Sequence, residues 1–321
     1  MKAMVFEKYG QPDVLQLKEV EKPTPKDDEV MVKVLAASVN DWDWGVLRGK
    51  PLVNRLIFGL TRPKKSNILG CDIAGKVESV EKNVTKFKPG DEVFGDLSEG
   101  SWGGYAEYVC ASENELVPKP AKMTFEEAAA VPQVGSMVVK GLLDMGNVKP
   151  GQRVLFNGAG GGVGTLGVQI AKSLGAHVTG VDKASKLDIL LKLGADEVID
   201  YKKEDFTKNR KQYDLILDVM VNRSMFAYKR ALSPNGIYLM MGGSIPRIFL
   251  IAIVSPLIIR GKKLKILALN PNKGLDVFSE LFEAGKVKPV IDRTYPLSEL
   301  PEALEYFGES HHKGKIIIKI V

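Results

Sequence analysis

Residues Phe156–Leu174 read FNGAGGGVGTLGVQIAKSL: the end of an apolar strand, then clustered glycines, then residues typical of a helix. A glycine-rich loop between a strand and a helix is the phosphate-binding element of dinucleotide-binding domains. The pattern G-x-G-x-x-G fits literally at Gly162, Gly164 and Gly167. That register starts well beyond the strand end near Asn157, whereas the first position belongs in the turn that leaves the strand.

A second register places Ala159, Gly161 and Gly164 at the three positions, with alanine in place of the first glycine. Gly161 then lets the backbone approach a pyrophosphate, and Gly164 lets the helix pack closely on the strand. Gly167 is in this register simply a small residue one turn into the helix. The residues expected to hold the phosphates are those of the loop and of the first helical turn: Gly158, Ala159, Gly161, Gly162, Val163 and Gly164.

The end of the next apolar stretch, AHVTGVD, bears on which cofactor the loop would bind. An acid there, here Asp182, accepts hydrogen bonds from the ribose hydroxyls of NAD and repels the 2′-phosphate of NADP. Lys183 and Lys186 beside it would attract that phosphate. The sequence therefore predicts NADP(H) or NAD(H) and leaves the preference open.

The hydrophobic period changes near residue 124. The preceding residues are typical of β-strands with tight turns, among them Val30–Ala36 and Ile73–Val80, and no helix of convincing length is expected before Thr124. Thr124 and Glu127 form a capping box at a helix start. Apolar strands and helical patterns then alternate to about residue 265, which is typical of a parallel sheet with helices on both faces. The predicted fold class is α/β.

The composition is that of an ordinary globular protein. The 321 residues are 45% hydrophobic and 26% charged, a length that favours about two domains. The net charge of +6 is mild and scattered, so no nucleic-acid partner is expected. Two cysteines cannot form a disulfide framework, and MKAMVFEKYG lacks the apolar core of a signal peptide. We therefore expect a cytoplasmic protein.

One long apolar segment bears on the expected cytoplasmic location. Residues Ile248–Ile259, IFLIAIVSPLII, are apolar over twelve positions except for Ser255 and Pro256. A transmembrane helix needs about 20 apolar residues, so no transmembrane segment is predicted. A buried helix, a pocket wall, a subunit contact and peripheral membrane contact remain as interpretations.

Ordered motifs along nearly the whole chain resemble one family. They are ASVNDWDWGVLRG, ILGCDIAGKVESVEKNVTKFKPGDEVFG, GGYAEYV, EEAAAVP, GAGGGVG, LGADEVIDYKKEDF and HKGKIIIKI. These motifs resemble the medium-chain dehydrogenase/reductase superfamily, and specifically its zinc-independent quinone reductase and enone reductase branch. They are specific for the family and much less specific for the substrate.

The resemblance implies an architecture and a set of contacts. Residues 1–123 and 266–321 would form a GroES-like β lobe, residues 124–265 a Rossmann domain, and the active site would lie in the cleft. A homodimer joined near Leu264–Leu269 is also implied. Tyr201, in IDYKKEDF, resembles a family tyrosine beside the adenosine, and Gly242 and Lys315 are further candidates for contacting the cofactor.

Zinc is not expected. Zinc alcohol dehydrogenases carry a cysteine where this chain has Asn40 and Gly-His-Glu where it has Gly70-Cys71-Asp72. Their four-cysteine structural loop is absent, and the chain has only 3 histidines. A tetrahedral zinc site needs three or four convergent ligands, which this sequence does not offer.

Hydride transfer to a quinone or to an α,β-unsaturated carbonyl needs no protein nucleophile. It needs a donor for the carbonyl oxygen, and Asn40 is the best candidate, with an Asx turn as its alternative interpretation. Asp43 and Tyr105 are further candidates, the first to order the loop and the second as a pocket wall. Gln133 and Met137 depart from the apolar and threonine residues usual in the family near the nicotinamide phosphates, and Ser136 could restore that contact.

Two alternatives stay open beside a metal-free reductase of small hydrophobic carbonyls or quinones. One is a zinc-independent alcohol dehydrogenase, disfavoured because no residue obviously activates a hydroxyl as zinc does. The other is a non-catalytic cofactor-binding protein associated with nucleic acid or membrane. The isoelectric point near 9.0 is the reason for considering it.

Overall fold

The structure is a computed structural model that describes residues 1–64, 67–254 and 262–320. It divides into two compact units. The first, the terminal unit, consists of Met1–Gln133 and Ile291–Val321; the second, the central unit, is Val134–Val290.

The sequence placed the boundaries at 123 and 265, earlier than those observed. A helix at each boundary explains the difference. Phe125–Ala129 packs on strands of the terminal unit. At the other boundary, Gly274 precedes a helix and lies tightly against Val139 of the central unit.

The terminal unit is built around a mostly antiparallel sheet, in which β14 and β15 pair in parallel. Strand order is β14-β15-β3-β4-β5-β7, with β6 also paired to β3, and β1 pairs separately with β2. Its strands are β1 (Lys2–Val5), β2 (Gln16–Glu19), β3 (Glu29–Ser38), β4 (Asp72–Val80), β5 (Glu92–Asp96), β6 (Tyr108–Ser112), β7 (Val117–Pro118), β14 (Ile291–Pro296) and β15 (Lys315–Lys319). Its helices are α1 (Asp41–Arg48), α2 (Leu52–Phe58), α3 (Phe125–Ala129) and α10 (Leu300–Gly308). A further helix, α4 (Pro132–Val139), begins at the end of this unit.

The sequence predicts no helix of convincing length before Thr124, whereas the structure has two short helices there, α1 and α2. Both ends of α1 are fixed by local chemistry. The backbone N–H of Asn40 donates to Asp43 Oδ2 over 3.0 Å, which ties the N-terminus. Gly49 ends the helix at a φ of +58°, a left-handed conformation that glycine adopts without strain. Helices this short lack a long apolar period, so the sequence pattern missed them.

The central unit is a doubly wound parallel sheet. Its strands are β8 (Arg153–Asn157), β9 (His177–Asp182), β10 (Glu197–Asp200), β11 (Tyr213–Asp218), β12 (Leu232–Met240) and β13 (Lys263–Ile266). Its helices are α5 (Gly162–Ser173), α6 (Ala184–Lys192), α7 (Met225–Ala231), α8 (Ile245–Phe249) and α9 (Leu275–Glu283). All neighbouring strands are parallel, in the order β10-β9-β8-β11-β12-β13. The predicted α/β class is confirmed.

The sheet order also locates a binding edge. The chain enters at the central strand β8, winds outward through β9 and β10, and returns to β11 on the other side. In such sheets a ligand binds outside the carboxyl ends of the strands at the point where the winding direction changes. That point is the end of β8, where the quoted glycine loop begins.

The apolar segment Ile248–Ile259 lies partly outside the described residues. In the described part, Phe249 and Ile253 are exposed, whereas Ile251 is buried. No helix in the ranges 1–64, 67–254 and 262–320 is both long and apolar enough to cross a membrane.

Candidate functional site

The glycine loop lies between β8 and α5. Gly158 leaves the strand at a φ of +90°, and Gly161 is the residue that precedes the first helical turn. The literal pattern at Gly162, Gly164 and Gly167 therefore lies entirely inside the helix. The register that begins at Ala159 is the one with its first position in the turn, as the sequence analysis expects.

Each glycine has its own steric reason. A Cβ on Gly164 would lie 2.2 Å from the carbonyl oxygen of Ala159, so only glycine fits there. A Cβ on Gly167 would lie 2.3 Å from the ring of Phe156. Gly167 is thus a second close-packing position and not merely a small residue. At Gly161 the nearest atom to such a Cβ is 3.9 Å away, which leaves room above the backbone.

That room suits a phosphate. The first-turn N–H groups of an α-helix have no partner within the helix, and they carry its positive partial charge. Here they belong to α5, which begins directly at the free space beside Gly161. A pyrophosphate would bind the loop and this first turn by backbone N–H groups.

Asp182 is tied to the loop. Its Oδ2 accepts the N–H of Gly160 and its Oδ1 accepts the N–H of Lys183, both over 2.8 Å. Lys186 is buried, and its side chain lies against Gly160. The N–H of Tyr201 donates to the carbonyl of Asp182 over 3.2 Å, so the structure brings this tyrosine beside the acid.

Gly242 follows β12 at a φ of +100°, and nothing lies within 4 Å of where its Cβ would be. Its role as a cofactor contact stays a prediction. The predicted roles of the loop residues, Asp182, the two lysines and Tyr201 likewise stay predictions.

A second polar centre, the Asp72 cluster, is buried in the terminal unit and consists of Ser38, Asn40, Asp72 and Lys315. The carboxylate of Asp72 is fully buried. Its Oδ2 accepts from Asn40 Nδ2 over 2.9 Å, from Ser38 Oγ over 3.1 Å and from Lys315 Nζ over 3.4 Å. Its Oδ1 accepts the backbone N–H of Gln133 over 3.1 Å. Asp72 therefore ties strands of the sheet to the start of α4.

Lys315 places its ammonium inside this cluster. Nζ donates to the carbonyl of Val39, to Oδ1 of Asn40 and to Asp72. These contacts use its three protons within the terminal unit. Its predicted role as a cofactor contact stays untested.

The side-chain amide of Asn40 also makes its hydrogen bonds within the terminal unit. Its Nδ2 donates to Asp72 and, over 3.4 Å, to the Sγ of Cys71. Both amide protons therefore have protein acceptors. In the structure this amide holds the Asp72 cluster together, and its predicted role as the donor to a substrate carbonyl stays a prediction.

Asp43 and Tyr105 also hold structure. Asp43 accepts the backbone N–H groups of Asn40 and Gly70. Burial raises the pKa of Asp43 to about 7, although these two hydrogen bonds oppose the shift. Tyr105 donates to the carbonyl of Ser38 over 3.2 Å, and burial raises its pKa. Both side chains lie in the interior of the terminal unit, and their catalytic roles stay predictions.

A metal can be tested against the donors present. Within the described ranges, Cys71, Asp72 and Asp96 offer ligand atoms that lie within 4.8 Å of one another. The oxygens of Asp72 already accept four hydrogen bonds, one of them from the ammonium of Lys315. Burial raises the pKa of the Cys71 thiol, so that the metal-free protein holds it protonated. These residues do not fit a zinc ion.

Sequence reasoning singled out Asn40 and Lys315 but did not connect them with Ser38 and Asp72. Ser38, Asp72 and Lys315 come from three strands far apart in the chain. No local spacing links them. The one available signal was the presence of polar residues within otherwise apolar strands, at the start of β4 and in β15.

The fold, the glycine loop and the Asp72 cluster together define a class of protein. A doubly wound sheet with a glycine loop at the winding change is a dinucleotide-binding domain, here joined to a β unit formed by both chain ends. The family model described as alcohol dehydrogenase GroES-like domain matches residues 26–121. The one described as zinc-binding dehydrogenase matches residues 193–318.

Similarity extends over the whole chain. It is 33% identical to the chloroplast envelope quinone oxidoreductase homolog of Arabidopsis thaliana, over 99% of this chain and 98% of that protein. It is 34% identical to 2-methylene-furan-3-one reductase of Solanum lycopersicum, over 99% of this chain and 79% of that protein. The solved quinone oxidoreductase of Coxiella burnetii has a TM-score of 0.88 at 28% identity, covering 100% of this chain and 99% of that one.

The chain therefore belongs to the medium-chain dehydrogenase/reductase superfamily, in its quinone oxidoreductase branch. It is an oxidoreductase of this NAD(P)H-binding family.

Proposed function

We propose that this protein reduces a quinone or an α,β-unsaturated carbonyl with NADPH or NADH, without a metal. The observation that carries the proposal is the open space at Gly161 in front of α5, at the winding change of the sheet. Relatives named as a quinone oxidoreductase and as a methylene-furanone reductase support the acceptor class.

The protein's part in the reaction is to bind, orient and exclude water. The loop and the first turn of α5 would hold the pyrophosphate, and Asp182 and Tyr201 lie where the adenosine end would bind. A bound nicotinamide cofactor supplies the hydride. With an enone as acceptor, the hydride would go to the β-carbon, and water would supply the proton that completes the saturated product.

The metal-free part of the proposal rests on the donor set. Lys315 supplies the fixed positive charge of the Asp72 cluster, and the oxygens of Asp72 already have their donors. A metal ion would have to displace an ammonium that is itself buried. We propose that the protein works without zinc.

The assembly and the location are part of the same proposal. We propose a homodimer in the cytoplasm. In the described part of the central sheet β13 is an edge strand, with one neighbour, β12, and such an edge can pair with a second copy.

A titration followed by a substrate panel tests the function. Purified protein is titrated to saturation with NADPH and with NADH, and the fluorescence of the nicotinamide is recorded. Quinones and enones are then added, and oxidation of the cofactor is followed by its absorbance. We expect binding of at least one cofactor and turnover of at least one acceptor. Absence of binding by both cofactors would sink the proposal.

A further inference from the structure

The side-chain amide of Gln133 is buried without a hydrogen-bond acceptor. Only 6% of the residue is exposed, and among the described residues no group pairs with its Nε2. The backbone of the same residue is held firmly, because its N–H donates to Asp72 Oδ1 over 3.1 Å. The side-chain amide of Gln133 therefore lacks an acceptor, although the backbone of the same residue is fixed by Asp72.

Neighbouring donors of the Asp72 cluster have acceptors. Both amide protons of Asn40, the three protons of Lys315 and the hydroxyl of Ser38 are used within the terminal unit. The hydroxyl of Tyr105 donates to Ser38. Among the described donors on Ser38, Asn40, Gln133 and Lys315, the side-chain amide of Gln133 is thus the one left for a ligand; the hydroxyl of Ser136, also on α4, is likewise buried without a partner.

A buried amide without a partner destabilises a folded protein, since it loses its hydrogen bonds to water and gains none. Buried polar groups in native structures are nearly always paired, so an exception calls for an explanation. A ligand oxygen that arrives only on binding is one. The amide then costs stability in the free protein and contributes affinity or rate in the complex.

The charges nearby decide what kind of oxygen can bind. Asp43, Asp72 and Asp96 are all fully buried in the terminal unit, and the buried ammonium of Lys315 faces Asp72. An anionic ligand such as a carboxylate or a phosphate would gain no net attraction there. A neutral carbonyl oxygen suits the site, and an amide N–H would strengthen its hydrogen bond as negative charge develops on that oxygen.

We propose that Gln133 Nε2 donates a hydrogen bond to the carbonyl oxygen of a bound reactant. This inference rests on the reductase function proposed above. Two reactants carry such an oxygen: the acceptor, and the carboxamide of the nicotinamide. In either case Gln133 fixes the orientation of the reacting group, and with the acceptor it also stabilises the charge that forms on oxygen.

The experiment compares the wild type with Gln133→Met and Gln133→Leu, which remove the N–H groups and keep an apolar side chain. Gln16→Met is the matched control, because Gln16 is an exposed glutamine of β2. Three quantities are measured for each protein: kcat/KM for an enone, the dissociation constant of the reduced cofactor, and the melting temperature.

We expect the Gln133 variants to lose about 10- to 100-fold in kcat/KM, with a melting temperature equal to or above that of the wild type. An unchanged cofactor dissociation constant assigns the acceptor as the partner, and a weakened one assigns the carboxamide. Gln16→Met should match the wild type in all three quantities.

Two results would overturn the inference. One is a kcat/KM and a cofactor affinity within twofold of the wild type in both Gln133 variants. The other is a lowered melting temperature in both variants, which would make the amide a stabilising structural group. If the wild type turns over no acceptor, the proposed function fails by itself. Calorimetric binding of cofactor and enone to the wild type and to Gln133→Met then decides the role of Gln133.

Discussion

The glycine loop of the central unit and the Asp72 cluster of the terminal unit are built in opposite ways. The loop is formed by neighbours in the chain, from Gly158 to Gly164, and works through backbone N–H groups and empty space. The cluster joins side chains from positions 38 to 315 and works through buried charge. Adding a side chain to the glycine loop should therefore impair stability or cofactor binding, whereas removing a polar side chain from the Asp72 cluster should reduce stability.

The largest effect is expected at Lys315. The substitution Lys315→Met leaves the buried carboxylate of Asp72 without its ammonium, and an uncompensated buried charge costs about 3–5 kcal/mol. Lys319, also in β15, pairs with Glu126 at the surface, where an ion pair contributes about 0–1 kcal/mol. Denaturant unfolding of Lys315→Met and Lys319→Met measures both. Equal losses would show that the cluster does not depend on buried charge.

Gly164 should tolerate no side chain. In Gly164→Ala the new methyl would lie 2.2 Å from the carbonyl oxygen and 2.3 Å from the Cα of Ala159, both of which are backbone atoms. We expect a loss of about 3 kcal/mol in the free energy of unfolding, the upper range for overpacking. Thermal and urea unfolding measure it. Wild-type stability would mean that the loop can move aside, contrary to the packing described.

Gly161 separates binding from stability. Its φ of −88° suits alanine, and the nearest atom to the new Cβ is 3.9 Å away. Gly161→Ala should therefore fold with wild-type stability. Its affinity for the reduced cofactor should fall by about tenfold, which equals about 1.4 kcal/mol of binding free energy. Fluorescence titration measures the affinity. Unchanged affinity would place the phosphates elsewhere.

The smallest expected effect is on the slope of the free energy of unfolding with pH. Burial, reinforced by the charge of Asp72, raises the pKa of Asp96 from 3.8 to about 7. Between these values the folded protein holds a proton that the unfolded chain has lost, so stability falls as pH rises toward 7 and then levels. Asp96→Asn should make this slope shallower by at most about 1.4 kcal/mol per pH unit.

Urea unfolding at several values between pH 5 and 8 tests this slope. Asp91→Asn is the control, because hydrogen bonds from Lys88 lower the pKa of this acid and its titration falls below that range. An unaltered slope in Asp96→Asn would contradict the assignment.

The same contrast explains what the sequence could predict. The loop register, the strand end at Asp182 and the α/β class follow from short-range patterns, and the structure places all three as expected. The Asp72 cluster depends on strand pairing between distant segments, because Ala37 of β3 faces both Ile73 of β4 and Ile318 of β15. Helix α1 was missed because its caps, and not a long apolar period, define it.

Isotope transfer tests the central claim most directly. The protein, treated with a metal chelator, is incubated with an enone and with NADPH or NADH carrying two deuterium atoms at C4 of the nicotinamide. The product is analysed by mass spectrometry. The account predicts one deuterium at the β-carbon of the saturated product, at a rate that added zinc does not raise. A product without deuterium, or turnover that appears only with added zinc, would contradict it.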